Sequence, residues 1–379
     1  MIKQISFSLA ISILICGVLI FYICTMSRSV FANEVNFDLV WKTVKQQYIS
    51  EDGRVIDYSD QRFITTSEGQ SYAMFFALVN NDQKTFDKLL RWTENNLAQG
   101  DLQQHLPAWL WGKDQNQEWK ILDPNSASDA DLWIVWNLIE AGRLWKNQKY
   151  TDTADALLQQ IEKSEVVNIP DLGDMLLPGQ YGFVFEKKWR LNPCYLPVQI
   201  LTGIANHTHA PLWINIKNNS VHLLIASAPK GFSPDWIEYD QTLGWLTQVE
   251  NKPILGSYDA IRVYLWLGML NSSDQNKQTL YQHFMPMLKL LNTNHYPPEK
   301  INVLDATTIN QGPIGFSAAM LPFIQDPTLQ KKQLLYIQDN YKNQQNYYNN
   351  MLILFGLGWY EKKFAFSATG QLLPAWNHK

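Results

Sequence analysis

The sequence predicts an all-α protein: a single domain of about twelve paired helices. Three observations predict it. Apolar residues recur at one-face helical spacing along most of the chain. Short polar or Gly/Pro stretches separate these segments, so successive helices lie side by side across short loops. No internal repeat and no Pro-, Gly- or Ser-rich linker divides the chain. With 379 residues, 46% of them hydrophobic, there is ample material for one large core.

Taken in order, residues 1–32 carry Lys3, a long apolar run and the small residues around Val30-Phe31-Ala32, the pattern of a secretory signal peptide. The run, roughly 20 residues, is also long enough for an uncleaved anchor. Either way, residues 33–379 are expected to form one exported domain, periplasmic or secreted. "TTSEGQSYAMFFALVNN" (65–81) opens a helix with Glu68 at its mouth. In "LPAWLWG" the flanking Pro and Gly suggest a loop presenting Trp109 and Trp111. From about 129 to 147, Leu132, Val135, Trp136 and Ile139 repeat on one face behind the capping candidates Ser126, Ser128 and Asp129, and Trp133, Trp136 and Trp145 read as packing. "DMLLPGQYGFVFEKKWRL" (174–191) and "GFSPDWIEYDQ" (231–241) break the helical rhythm and suit short β-hairpins or loops at a functional rim. Helical stripes return at Ile261, Tyr264, Leu265 and Gly268 and at Met351, Leu354, Phe355 and Gly358, with a polar helix junction at 339–350 between them.

Composition narrows the function. Acidic residues (35) outnumber basic ones (31), which gives no footing for nucleic acid. Cys16 and Cys24 fall in the leader, leaving Cys194 without an internal disulfide partner. The histidines lack metal-ligand spacing; His207 and His209 read as a solvated helix end. There is no H-E-x-x-H, phosphate loop or nucleophile elbow, so the expectation is hydrolysis without metal or cofactor. Aromatic residues make up 13% of the chain, enough to line a cleft that grips sugar faces.

Carboxylates stand at three helix mouths: Glu68, the pair Asp129 and Asp131 in "NSASDADLW", and Asp259 in "GSYDAIRVYLW". For any one of them, capping of the helix outweighs catalysis by roughly two to one. Three such acids in a chain of paired helices shift the balance. If the helices alternate around a ring, every second helix starts at the same end and the acids converge. Convergent carboxylates in an aromatic cleft suit glycoside hydrolysis, with one protonated acid and one ionised base.

"ASDADLWIVWNLIEAGRLW" (127–145) resembles the signature of glycoside hydrolase family 8. The remainder of the chain resembles the periplasmic endoglucanase branch encoded with bacterial cellulose synthases, through "TTSEGQSYAM", "LPAWLWG", "LNPCYLP", "APKGFSPDWI", "GSYDAIRVYLW" and "GPIGFSAAMLPF". The resemblance implies an (α/α)6 barrel cutting β-1,4-glucan with inversion. It implies β-1,4-glucan chains and the cellulose synthase or export complex as partners. It places Glu68 as proton donor, Asp259 as general base and Asp129 as the acid that holds the distorted sugar. Trp109, Trp111, Asp131, Tyr195, Tyr258 and Arg262 are the expected substrate-binding residues. Val135, Asn137 and Cys194 depart from the family pattern, and Cys194 is expected to soften a hydrogen bond beside Tyr195. Two alternatives stand beside this reading: a non-catalytic glucan-binding scaffold, and a family 8 hydrolase acting on xylan or chitosan.

Overall fold

The structure, a computed structural model, describes residues 35–249 and 251–378. The signal-peptide segment lies outside the described residues. Contacts divide the chain into Met1–Asn36 and Phe37–Lys379, and the architecture that follows is that of the second unit.

Thirteen α-helices occur among the described residues: α1 (Phe37–Gln47), α2 (Ser67–Val79), α3 (Gln83–Leu97), α4 (Ser128–Trp145), α5 (Gln148–Ser164), α6 (Val198–Thr208), α7 (Pro211–Ala226), α8 (Ile261–Met269), α9 (Lys277–Phe284), α10 (Pro286–Asn294), α11 (Ile314–Met320), α12 (Pro327–Asn340) and α13 (Tyr347–Tyr360). They alternate between two environments. In α8 and α11 every residue is buried, and in α2 every residue except Glu68. Helices apolar on all sides must sit inside a core. By contrast α3 buries only the stripe Phe86, Leu89, Trp92, Thr93 and Leu97, and α5 only Tyr150, Ala154, Leu157, Leu158 and Ile161. Six inner helices (α2, α4, α6, α8, α11, α13) therefore stand inside an outer ring. The α9–α10 pair fills one outer position, broken where Pro286 has no N–H to continue the ladder. This is the (α/α)6 barrel that the resemblance implied.

Successive inner helices pack on one another from α2 round to α13. The ring closes where Phe355 of α13 stacks on Phe75 of α2, centroids 5.3 Å apart and planes at 18°. Trp133 (α4) and Trp266 (α8) meet these rings from the other side, 5.2 Å from Phe75 and 5.2 Å from Phe355 respectively. Trp133 and Trp136 are fully buried, as expected of packing residues. Truncating one such ring would cost about 3–5 kcal/mol. Close approach of α11 and α13 requires Gly356, where a Cβ would collide with the Ala318 carbonyl.

Because inner and outer helices alternate in direction, all six inner helices start at one end, and small sheets decorate it. Strands lie within the anticipated segments, at 184–185, 188–191 and 237–240, joined with 244–245 in one four-stranded sheet. Two further sheets, 65–66/110–113/119–123 and 255–256/298–302/308–311, had no forecast. The first corrects the loop expected around Trp111, which sits within the strand Leu110–Lys113.

Candidate active site

The acids at the helix mouths do not occupy the N-cap positions, although Asp129 Oδ1 accepts from Ala130 N at 2.8 Å within the first turn. At α2 the cap is Thr66, whose Oγ1 accepts from Gly69 N at 3.1 Å. At α4 the capping position is Ala127, which offers no side-chain acceptor. Ahead of α8 a distant residue does the work: Asp235 Oδ1 accepts from the backbone N–H groups of Ser257 (2.8 Å), Asp259 (3.1 Å) and Ala260 (2.8 Å). Glu68 and Asp259 are thereby left to face outward.

They face one cleft. A depression of about 570 Å³ at this rim is lined by Glu68, Trp109, Asn125, Tyr195, Trp236 and Asp259 among others. Trp236 lies nearly parallel to Phe183 (centroids 5.9 Å, planes 3°) and close to Tyr195 (6.0 Å), forming an aromatic wall in the same cleft as Trp109.

Arg262 organises the floor. It is 9% exposed; its Nη2 donates to Asp259 Oδ1 at 2.5 Å and its Nη1 to Asp129 Oδ2 at 3.3 Å and to the Tyr72 hydroxyl at 3.1 Å. One guanidinium thus ties the first turn of α4 to the mouth of α8. Asn192 Nδ2 holds the other Asp259 oxygen at 3.2 Å, while Asn192 Oδ1 accepts from Cys194 N at 3.1 Å and orders the turn that carries Tyr195. That turn is pinned from below by Trp266 Nε1 donating to the Cys194 carbonyl at 3.0 Å. The Cys194 contacts seen here are made by its backbone, and burial pushes its thiol up, so it stays a neutral small apolar group.

The electrostatics separate the acids. Burial pushes the Glu68 carboxyl up, with Asp259 adding to the rise and Arg262 opposing it. The hydrogen bond it accepts from the Ser67 hydroxyl is long, 3.5 Å, and the hydrogen bonds from its own backbone N–H and from Thr66 oppose the effect of burial without overcoming it. Asp129, 1% exposed, is held well above the usual carboxylate range by burial and then by Glu68, against the pull of Arg262. Glu68 and Asp129 therefore compete for protons, whereas Asp259 is ion-paired and partly open to the cleft.

The other five expected binding residues do not share one placement. Trp109 and Tyr195 line the cleft. Trp111 does not: its ring stacks on Trp119 (5.0 Å, 8°) beneath the Arg54 guanidinium, 4.3 Å from the Trp111 centroid. Tyr258 is 42% exposed at a neighbouring depression, its hydroxyl donating to Glu299 at 3.2 Å. Asp131 is a correction. It is fully buried, faces Glu165 and reaches no cleft surface, because residues two apart on a helix point to nearly opposite sides. Sequence reasoning missed Asn192, Asp235 and the wall residues Phe183 and Trp236. The signal for Asp235 was an acid directly after Pro234 in a loop that must be anchored somewhere. Tyr347, at the mouth of α13, was also missed; its hydroxyl lies so close to Gly69 that a Cβ there would strike it.

With that geometry in view, comparison with known proteins is decisive. The sequence matches the family described as Glycosyl hydrolases family 8 over residues 15–362. The chain belongs to glycosyl hydrolase family 8. Among its relatives is an endoglucanase of Escherichia coli (strain K12), 51% identical over 339 residues, which span 89% of this chain and 91% of the relative. An endoglucanase of Xanthomonas axonopodis pv. citri is 43% identical, with 89% of each chain covered. The crystal structure of an endo-1,4-D-glucanase from Vibrio fischeri ES114 superposes with a TM-score of 0.85 at 45% identity, covering 89% of this chain and 99% of that one. Among the described residues no His/Cys/Asp/Glu group could hold a metal ion, and no helix is long and apolar enough to cross a membrane.

Proposed function

We infer that this family 8 hydrolase is an inverting endo-β-1,4-glucanase acting on cellulose-type glucan. The observation that carries the reading is the placement of Glu68, in the first turn of one inner helix, and Asp259, just ahead of another, in the wall of one aromatic cleft. Glu68, in a setting that favours its neutral form, donates its proton to the glycosidic oxygen as the bond to the anomeric carbon breaks. A water enters from the opposite face of the sugar and gives its proton to Asp259, so each cycle yields two shorter chains and a new α-configured reducing end. Asp129, held by Arg262, accepts a hydrogen bond from a hydroxyl of the sugar at the point of cleavage and favours its distorted ring. Trp109, and Trp236 with Phe183, stack on pyranose faces.

Endoglucanase names among relatives at 50–51% identity over most of the chain support the same activity. The leader-like N-terminal sequence supports export to the periplasm or beyond, and the resemblance supports work on glucan leaving a cellulose synthase. Release of reducing ends from carboxymethyl-cellulose by the wild type, abolished in Glu68→Gln, tests the activity. Binding of glucan with no release by the wild type would favour a non-catalytic scaffold, and preferential cleavage of xylan or chitosan would reassign the substrate.

A further inference from the structure

Behind the cleft wall, Asp131 of α4 meets Glu165, the residue that ends α5. Both are fully buried, and their carboxyl groups act directly on each other. Neither oxygen of Asp131 has a donor, nor has Glu165 Oε2. Glu165 Oε1 accepts a hydrogen bond from the Ser126 hydroxyl at 2.5 Å, and Ser126 Oγ in turn accepts from Gln180 N at 3.1 Å. The charged groups that act most strongly on Asp131 are Glu165, Asp129 and Glu68, all of them acids; on Glu165, the groups that act most strongly are Ser126 and Asp131. Among the described residues no cation is ion-paired to Asp131 or Glu165, and two ionised carboxylates cannot stay in contact in such a dry site, since both are acceptors only and repel.

We propose that Asp131 and Glu165 share one proton as a carboxylic acid–carboxylate pair, and that this pair positions the Asn125–Ala127 wall of the cleft and the first turn of α4. The proton turns two facing acceptors into a donor and an acceptor, a short charge-assisted O–H···O bond. Its mechanical links are direct. Ser126 hangs from Glu165, and Asn125, Ser126 and Ala127 all line the cleft. The Asn125 carbonyl accepts from Trp109 N at 2.7 Å, so the same wall holds the Trp109 backbone. Asp129, two residues before Asp131 on the same turn, is the acid held by Arg262. Asp131 and Glu165 are positioning residues and touch no substrate. Burial supports the shared proton from a second side, pushing the Glu165 carboxyl up to about 7 against the pull of Ser126 and Asp131. Loss of the proton as pH rises leaves two like charges in contact, loosening the wall.

The consequence for turnover rests on the hydrolase reading; the shared proton does not. The test uses the full chain with Glu165→Gln and, separately, Asp131→Asn, each of which keeps a donor opposite an acceptor. In a Glu68→Gln background, which removes the donor's own signal, the infrared spectrum at pH 7 is expected to lose one carboxylic-acid carbonyl band on Glu165→Gln or Asp131→Asn. Superimposable spectra would overturn the shared proton whatever the activity. With Glu68 intact, Glu165→Gln is expected to keep kcat at pH 6 within about threefold and KM unchanged, and to flatten the fall in kcat between pH 6 and pH 8 by at least about threefold. A purely structural role would shift stability and leave that pH profile as it is, which would overturn the positioning role. Failure of both amide variants to fold would also count against the proposal, because a donor–acceptor pair of the same shape ought to serve.

Discussion

Helix α4 carries buried acids at both ends, and the two ends are built to opposite specifications. At the far end Glu140, 2% exposed, is matched by Arg143 one turn on, whose Nε donates at 3.1 Å, and by the Leu372 N–H at 2.8 Å. Burial still pushes its carboxyl up, but its own helix supplies the opposing cation. At the cleft end Asp129 and Asp131 stand close to Glu68, and the cation bound there, Arg262, is divided between Asp129 and Asp259. One end is arranged for stability. The other leaves negative charge in excess, which costs stability and raises the proton affinity that an acid catalyst needs.

Breaking the excess at its working member should give the largest effect. Glu68→Gln is expected to lower kcat by about 10²–10⁴-fold while cello-oligosaccharide affinity, read by calorimetry, changes little; Asp259→Asn should fall in the same range. Removing the shared cation comes next. Arg262→Met strands the buried Asp129 and leaves the half-buried Asp259 without its cation, and a loss of about 3–5 kcal/mol in urea unfolding is expected together with a loss of turnover. The matched variant at the other end, Arg143→Met, should cost about 1–3 kcal/mol and leave kcat/KM alone. Equal effects on turnover from both arginines would erase the distinction between the ends.

Titration sharpens it further. The folded-state carboxyls of Glu68 and Asp129 are raised above their unfolded values, so the protonated forms favour folding. Their contribution is fully present below the ordinary carboxylate range and is lost as pH rises through the raised folded values. Glu68→Gln should therefore lose less stability than the wild type between pH 5 and pH 8, measured by thermal melting. The smallest effect concerns the walls: Trp109→Ala should raise KM about tenfold with kcat nearly unchanged, whereas Trp111→Ala should leave KM alone and lower only stability.

The same contrast explains what was legible in the sequence. The inner helices were readable because total burial demands uninterrupted apolar runs such as "SYAMFFALV" and "LILFGLG". The acids at their mouths were readable because an exception in such a run stands out: Glu68 is the single residue of α2 that is not buried. Geometry between helices was not readable. Asp131 shares its neighbourhood with Asp129 in the chain, yet about 200° of helical rotation turns it away from the cleft. Trp111 and Trp109 are likewise two apart, but Trp109 lies just outside the strand Leu110–Lys113 and the pairing register shifts between Leu110 and Trp111. The rim sheets escaped because strands such as 298–302 and 308–311 are short and largely polar, with little alternation to detect. Asp235 acts on backbone N–H groups and Asn192 on the Asp259 carboxylate, partners brought close only by the fold.

The central claim is that Glu68 and Asp259 act from opposite faces of one glucosidic bond with a water between. The stereochemistry of the first product tests this most directly, followed by NMR while cellopentaose is being cleaved and before mutarotation sets in. The α-anomer is the expected initial product. An initial β-anomer would contradict the assignment of both residues.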